Sequence, residues 1–296
     1  MATRIDDQKR PVTGKHVTVD GVRVRYYESG SGDPVVFLHG IGGSAAHWWL
    51  AVAEVGRTHR AIAIDLPGYG KSDPLPGDAG AEQTAAFLWK VVEEIGLSHP
   101  VLVGHSFGGL LSLMISLERP GAVRAIVLIS SGGLGRAGSP GPLSLAFTPL
   151  GAVYPWLARL PFGPEAVVAL GAVSGACRPW RLPRRWWRTE RETASSYSAL
   201  RTAVQDLRKT SVPWGQRYVL LDRLRELPMP CLTLWGTHDQ MTPFWHALAA
   251  DRRLRHGKLR LLPFTGHLLP SEAEDRFLRH LLDFLGELPA AQSPSA

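Results

Sequence analysis

Hydrophobic and polar positions change their period several times along this chain. Val17, Val19, Val22, Val24 and Tyr26 alternate with polar residues on either side of Asp20-Gly21, the pattern of two antiparallel strands joined by a tight turn. Short apolar runs follow at Val35–Leu38, Ala61–Ile64, Val101–Val103, Ala125–Ile129, Cys231–Trp235 and Lys258–Leu262. Segments of helical length separate most of them: Ala45–Val55, Ala81–Ile95, Phe107–Glu118, Pro243–Arg255 and the amphipathic Glu272–Leu285. Runs that are apolar throughout and alternate with helices predict an α/β fold, a mostly parallel central sheet of about eight strands flanked by helices.

One stretch interrupts the alternation. Gly132 to Pro230 has no clear strand, is rich in proline, and holds five of the ten tryptophans. It reads as a helical insertion whose clearest helix is Ser195–Lys209, entered through a Gly/Pro/Ser-rich hinge at Gly132–Pro142. The expected organisation is a core over 17–131, a helical cap over 132–230, the rest of the core over 231–286, and tails at 1–16 and 287–296. Within the second tail, Pro289–Ala296 is expected to be disordered.

Composition narrows the class of protein. A chain of 296 residues with 45% hydrophobic content can bury the core of one large domain with an insertion. Met1–Arg10 carries no apolar signal core, and no apolar run reaches the roughly eighteen residues of a membrane helix. The expectation is a cytoplasmic protein without stable membrane insertion. Cys177 and Cys231 form neither a disulfide nor a metal pattern, and the absence of asparagine removes any N-glycosylation acceptor. Oligomeric state is not legible.

The net charge of +7 is concentrated in one place. Between Arg136 and Arg217, eleven arginines and one lysine face four acidic residues, a net +8, which leaves the rest of the chain close to neutral. A basic segment inside a neutral body argues against nucleic-acid binding and for a local feature. Arg181, Arg184, Arg185, Arg188 and Arg191 form either a solvated face or a patch for an anionic substrate, a phosphopantetheine carrier or a membrane surface. Trp186-Trp187 between them keeps the membrane-facing alternative open.

The candidate chemistry starts at Gly104-His105-Ser106-Phe107-Gly108-Gly109, between an apolar strand and an apolar helix. A Gly-x-Ser-x-Gly in that context reads as a nucleophile elbow, with glycines where a Cβ would clash against the sharp turn. The alternative is a Gly-rich turn that only packs a helix on a sheet. A serine hydroxyl is a weak nucleophile and needs a base, which in turn needs an orienting acid. Both occur downstream, Asp239 after the strand Cys231–Trp235 and His267 after Lys258–Leu262, in loops that a parallel sheet brings to its carboxyl edge. Asp239 also precedes Thr242-Pro243, so it could serve only as a helix cap. Phe107 opens a helix, where an unpaired N–H suits a developing oxyanion. His47 and Trp48, beyond the first strand loop, and Trp187, in the insertion, are candidate substrate-binding residues.

Five segments in order carry a resemblance: His39-Gly40-Ile41-Gly42-Gly43-Ser44, Asp65 to Ser72, Gly104 to Gly109, Trp235 to Asp239, and Gly266-His267. Over Val17 to Leu285 the chain resembles a cap-bearing serine hydrolase of the α/β-hydrolase superfamily, akin to esterases, lipases and C–C hydrolases. The resemblance implies Ser106 as nucleophile, His267 as general base and acid, and Asp239 as the group that orients it. It places the second oxyanion donor at Ile41, with Gly42 as the substitute, and makes Asp65 structural and His39 the holder of the oxyanion loop. His105 and His238 become local hydrogen-bonding residues. No cofactor or metal is expected, and a small molecule is the expected partner. Relatives that open epoxides or displace halide carry aspartate where this chain has Ser106, which disfavours those chemistries. The leading expectation is cleavage of a carboxylic ester. Alternatives on the same triad are C–C or thioester cleavage and perhydrolysis, and a non-hydrolytic ligand-binding or pathway-shaping protein is the alternative of another class.

Overall fold

The computed structural model describes residues 12–289. Ten strands are formed: β1 Thr13–Val19, β2 Val22–Ser29, β3 Pro34–Leu38, β4 Arg60–Ile64, β5 Val101–His105, β6 Ala125–Ile129, β7 Ser211–Val212, β8 Gly215–Gln216, β9 Cys231–Gly236 and β10 Gly257–Leu262. Eight of them make one sheet in the order β1-β2-β4-β3-β5-β6-β9-β10. Only β2 runs against its neighbours, because the Asp20-Gly21 hairpin turns the chain back before the parallel crossovers begin. β1 starts at Thr13, ahead of the expected Val17, since its exposed first half, Thr13 to His16, pairs with β2 without showing apolar alternation. The rest of the expected tails, 1–11 and 290–296, lies outside the described residues.

The core helices are α1 Trp49–Val55, α2 Ala81–Glu94 and α3 Phe107–Glu118, and, after the cap, α9 Trp245–Asp251, α10 Leu269–Glu272 and α11 Glu274–Glu287. β5 and β6 are apolar on both faces because both faces are covered: α2 and α3 pack on one, α1 and α11 on the other. α3 is buried from Phe107 to Leu117, which explains why its sequence lacks a polar stripe. Helix boundaries differ from expectation where side chains are used for something else. The expected helix at 243–255 is limited to α9. The helix expected from Glu272 is preceded by α10 and interrupted at Ala273 (φ −130°, ψ 40°), where the Glu272 carboxylate bonds to backbone outside its own helix.

The insertion contains α4 Pro140–Phe147, α5 Leu150–Val153, a 3₁₀ turn at Tyr154–Arg159, α6 Gly163–Gly175, α7 Arg184–Ala194 and α8 Tyr197–Thr210. It is not wholly helical, because β7 and β8 form a short antiparallel hairpin around Pro213-Trp214. Leu224, Leu227 and Met229, within the span expected for the insertion, are buried in the main core cluster. The chain thus returns to the sheet before β9.

Strand order explains where a site forms. β3 and β5 are parallel neighbours (Leu38 opposite Gly104), but β3 leads outward to β4 and β5 leads the other way to β6. Their loops part at the carboxyl edge and leave a crevice, as parallel sheets do wherever the strand order reverses.

Candidate active site

Ser106 stands at that crevice between β5 and α3 with φ 53° and ψ −112°, a region that side-chain-bearing residues seldom occupy. The packing that imposes it is measurable: a Cβ on Gly104 would lie 2.3 Å from the Gly108 carbonyl oxygen, and one on Gly108 would lie 2.2 Å from that of Leu38. The turn is held by Ser106 N–H donating to Ile129 O (3.0 Å) and Gly132 N–H donating to Ser106 O (2.9 Å). Ser106 Oγ makes no hydrogen bond among the described residues and faces a cavity that His267 also lines.

β9 and β10 are parallel neighbours in register from Gly257/Cys231 to Leu262/Gly236, so the loops that follow them run side by side. They bring Asp239 Oδ2 to 2.9 Å from His267 Nδ1. Asp239 also accepts from the Met241 and Thr242 N–H groups through Oδ1, each at 2.9 Å, and from Thr242 Oγ1 through Oδ2 at 3.0 Å. Burial raises the pKa of this carboxyl, but the imidazole and the donated hydrogen bonds outweigh it and hold it below its ordinary value. α9 starts only at Trp245, and Asp239 ties its own turn while also facing His267.

His39 takes one tautomer. Its Nε2 accepts from Leu66 N–H (3.0 Å) and its Nδ1 donates to Gly40 O (2.8 Å), which fixes the loop that carries Ile41. Gly40 is close enough that a Cβ there would meet Ser106 Cβ at 3.0 Å. The N–H groups of Ile41 and Phe107 donate to no other protein group among the described residues. His105 Nε2 bonds to His267 O (2.9 Å). Burial pushes the pKa of both His39 and His105 down to about 3. Both are therefore neutral in the folded state, while their unfolded counterparts gain a proton near pH 6.5. Folded-state values below the unfolded ones give full stability above that pH and a decline as pH falls toward about 3. The expected slope is about 1.4 kcal/mol per pH unit for each imidazole. Urea unfolding between neutral and mildly acid pH should show it, and His39→Asn should flatten the slope by about one proton. An unchanged slope would contradict the buried neutral imidazole. Asp65 is buried and accepts from Ala45 N–H (2.7 Å) and Lys71 N–H (3.0 Å).

The cavity above Ser106 measures about 740 Å³ and is roofed by the insertion, within the range of small-molecule sites. His47 and Trp48 line it. Trp48 also packs against Phe37 and Phe277, with ring centroids 5.3 and 5.9 Å away. Trp187 does not line it. On α7 the residues facing the cavity are Trp186, Glu190, Thr193 and Ala194, one face of a helix. Trp187 lies one position off that face and packs edge-on against Trp186 at 5.2 Å.

Two acidic residues were not singled out from sequence. Glu190 Oε1 lies 3.0 Å from His47 Nε2 and joins the insertion to the core across the cavity wall. Burial opposes a charge on His47, but the carboxylate prevails and raises its pKa. The buried Glu272 accepts from Gly266 N–H (2.7 Å), next to His267, and from the N–H groups of Cys177 (3.1 Å) and Arg178 (2.7 Å) in the insertion. No local pattern distinguished it, because its partners are backbone groups distant in sequence. Among the described residues no arginine or lysine lines the cavity, and Glu190 is its only carboxylate.

A sequence model described as the alpha/beta hydrolase fold matches residues 33–274. An uncharacterized protein of Mycobacterium tuberculosis is 27% identical over 97% of this chain and 85% of its own length. A 2-hydroxymuconate semialdehyde hydrolase of Pseudomonas sp. is 25% identical over 96% of this chain and 98% of its own. Among solved structures, the esterase RhEst1 of Rhodococcus sp. superposes with a TM-score of 0.72 at 24% identity, covering 94% of this chain and 99% of that one. With its family model spanning most of the sheet and its site at the carboxyl edge, this chain belongs to the alpha/beta hydrolase fold family.

Proposed function

We propose that the protein is a serine hydrolase that cleaves a carboxylic ester of a neutral, mostly apolar small molecule through an acyl-enzyme. The observation that carries this reading is the Asp239–His267 pair at 2.9 Å, opening with Ser106 into a cavity whose walls hold no arginine or lysine among the described residues. Asp239 accepts from Nδ1–H of His267, which leaves Nε2 to take the Ser106 proton as Oγ attacks the ester carbonyl. The oxyanion then meets the free N–H groups of Phe107 and Ile41, each worth roughly 3 kcal/mol in the transition state. His267 returns its proton to the departing alkoxide, and water repeats the sequence on the acyl-enzyme. The insertion closes over the acyl or alcohol part and limits solvent access until acylation is complete.

Cleavage of a C–C bond is the second reading, favoured by the full-length similarity to the muconate semialdehyde hydrolase. An anionic substrate of that kind would meet Glu190 and no arginine or lysine at the cavity wall. A panel of neutral p-nitrophenyl esters of graded acyl length, a half-ester with a free carboxylate, and a vinylogous diketo acid tests the choice. Neutral esters are expected to give the highest kcat/KM, by at least about a hundredfold over the acids, the cost of desolvating an unpaired charge beside Glu190. Preference for the diketo acid would reverse the two readings.

A further inference from the structure

The insertion is divided into two chemically different halves. Residues 137–177 contain only two charged side chains, Arg159 and Glu165, whereas residues 178–217 contain ten arginines and lysines. So uncharged a stretch in a folded protein is expected inside. Here much of it is outside: Phe147, Leu150, Val153, Leu160, Phe162 and Val173 are 44 to 82% exposed. They lie on α4, α5, the link after the 3₁₀ turn at Tyr154–Arg159, and α6, and Trp156 on that turn is 49% exposed. These elements pack against one another in sequence order, so the exposed side chains share one region of the insertion.

This region is also the mouth of the cavity. Leu150, Val153 and Leu170 are each more than half exposed, and each also lines the cavity above Ser106. The apolar lining therefore reaches the outer surface. Contiguous exposed apolar surface of this kind marks an interaction site. Within it, Arg159 lies over the rings of Trp156 (4.8 Å) and Tyr197 (4.6 Å), an amphipathic pairing suited to a boundary between apolar and aqueous phases. The Arg-rich α7 packs directly on α6. Its Arg184 and Arg188 are exposed and pair with no carboxylate among the described residues.

We propose that this face of the insertion docks reversibly on an anionic lipid bilayer and that the substrate enters the cavity from the lipid phase. The substrate half of the inference rests on the ester-hydrolase reading; the docking half does not. A bilayer fits better than a second protein chain because the surface includes the cavity mouth at Leu150, Val153 and Leu170. A folded partner seated there would close the entrance, whereas a fluid apolar phase continues the lining and delivers acyl chains to it. The unpaired arginines match anionic headgroups. Docking is peripheral, since among the described residues no helix is long and apolar enough to cross a membrane.

Co-sedimentation of the full-length Ser106→Ala protein with vesicles tests docking independently of hydrolysis. Binding to phosphatidylcholine–phosphatidylglycerol vesicles should exceed binding to phosphatidylcholine alone by roughly tenfold and weaken with added salt. Phe162→Glu combined with Val173→Glu, neither of which lines the cavity, should abolish vesicle binding. Introduced into the wild-type chain, the same pair should leave hydrolysis of a short soluble ester unchanged. Absence of binding to anionic vesicles, or undiminished binding by the double variant, overturns the proposal. Concentration-dependent dimerisation removed by the double variant would overturn it too and assign the face to a second copy of the chain. If vesicles bind but no ester is cleaved, the docking inference stands and the ester reading fails.

Discussion

Ser106→Ala is expected to lower kcat on an ester by about 10⁵- to 10⁶-fold while leaving the fold intact. Removing Oγ removes the attacking atom and leaves no group to form the acyl-enzyme. Alanine carries the same Cβ through the same backbone geometry, φ 53° and ψ −112°, so the strain of the turn is unchanged. The Ile129 and Gly132 hydrogen bonds that hold it are made by backbone and survive. Stability should therefore move by less than about 1 kcal/mol. What remains of the rate enhancement comes from substrate binding and from the Phe107 and Ile41 N–H groups. The decisive measurement is labelling with a p-nitrophenyl alkylphosphonate followed by mass spectrometry. The adduct should map to Ser106 and disappear in the variant; a label retained on another residue would reject Ser106 as nucleophile.

Asp239→Asn is expected to cost about 10⁴-fold in kcat with a small change in KM. The reason lies in how the carboxylate divides its two oxygens. Oδ1 accepts from the N–H groups of Met241 and Thr242, and Oδ2 faces His267 Nδ1 at 2.9 Å. An asparagine must keep its oxygen toward the two backbone donors and thus turns its NH₂ toward His267. Nδ1 must then accept, the proton moves to Nε2, and the imidazole can no longer receive the Ser106 proton. Because the backbone donors keep their acceptor, stability should change far less than activity, by about 1–2 kcal/mol. Full kinetics on one ester, with urea unfolding of the same samples, separates the effects. Activity within tenfold of wild type would mean that His267 is oriented by something other than Asp239.

The positions of these groups were largely legible before the structure. β3, β5, β6 and β9 are short apolar runs with both faces buried, β10 is an edge strand that alternates exposed Lys258 and Arg260 with Leu259 and Leu261, and both patterns announce themselves by composition. Ser106, Asp239 and His267 each follow one of these strands, so locating the strands located the loops. Legibility ended where partners are chosen across long sequence distances. Glu272 resembles any helix-start glutamate, and its role as acceptor for Gly266, Cys177 and Arg178 follows from the break at Ala273 and the approach of the insertion. Trp186 and Trp187 cannot be told apart by composition, and a helical rotation of about 100° decides which of them faces the cavity.

The amino-acid sequence by itself determined the alternation of strands and helices, the sharp turn at Ser106, the insertion with its uneven charge, and the family. All of these are set by periodicity and by backbone demands that act within a few residues. Only the tertiary structure decided that Asp239 lies 2.9 Å from His267 as well as tying its own turn, that Glu190 is paired with His47 in a cavity wall without arginine or lysine, and that the charge-poor half of the insertion turns apolar side chains outward at the cavity mouth. Burial depends on which surfaces meet, and an apolar residue has the same local sequence signature whether it faces a core, a ligand or a lipid.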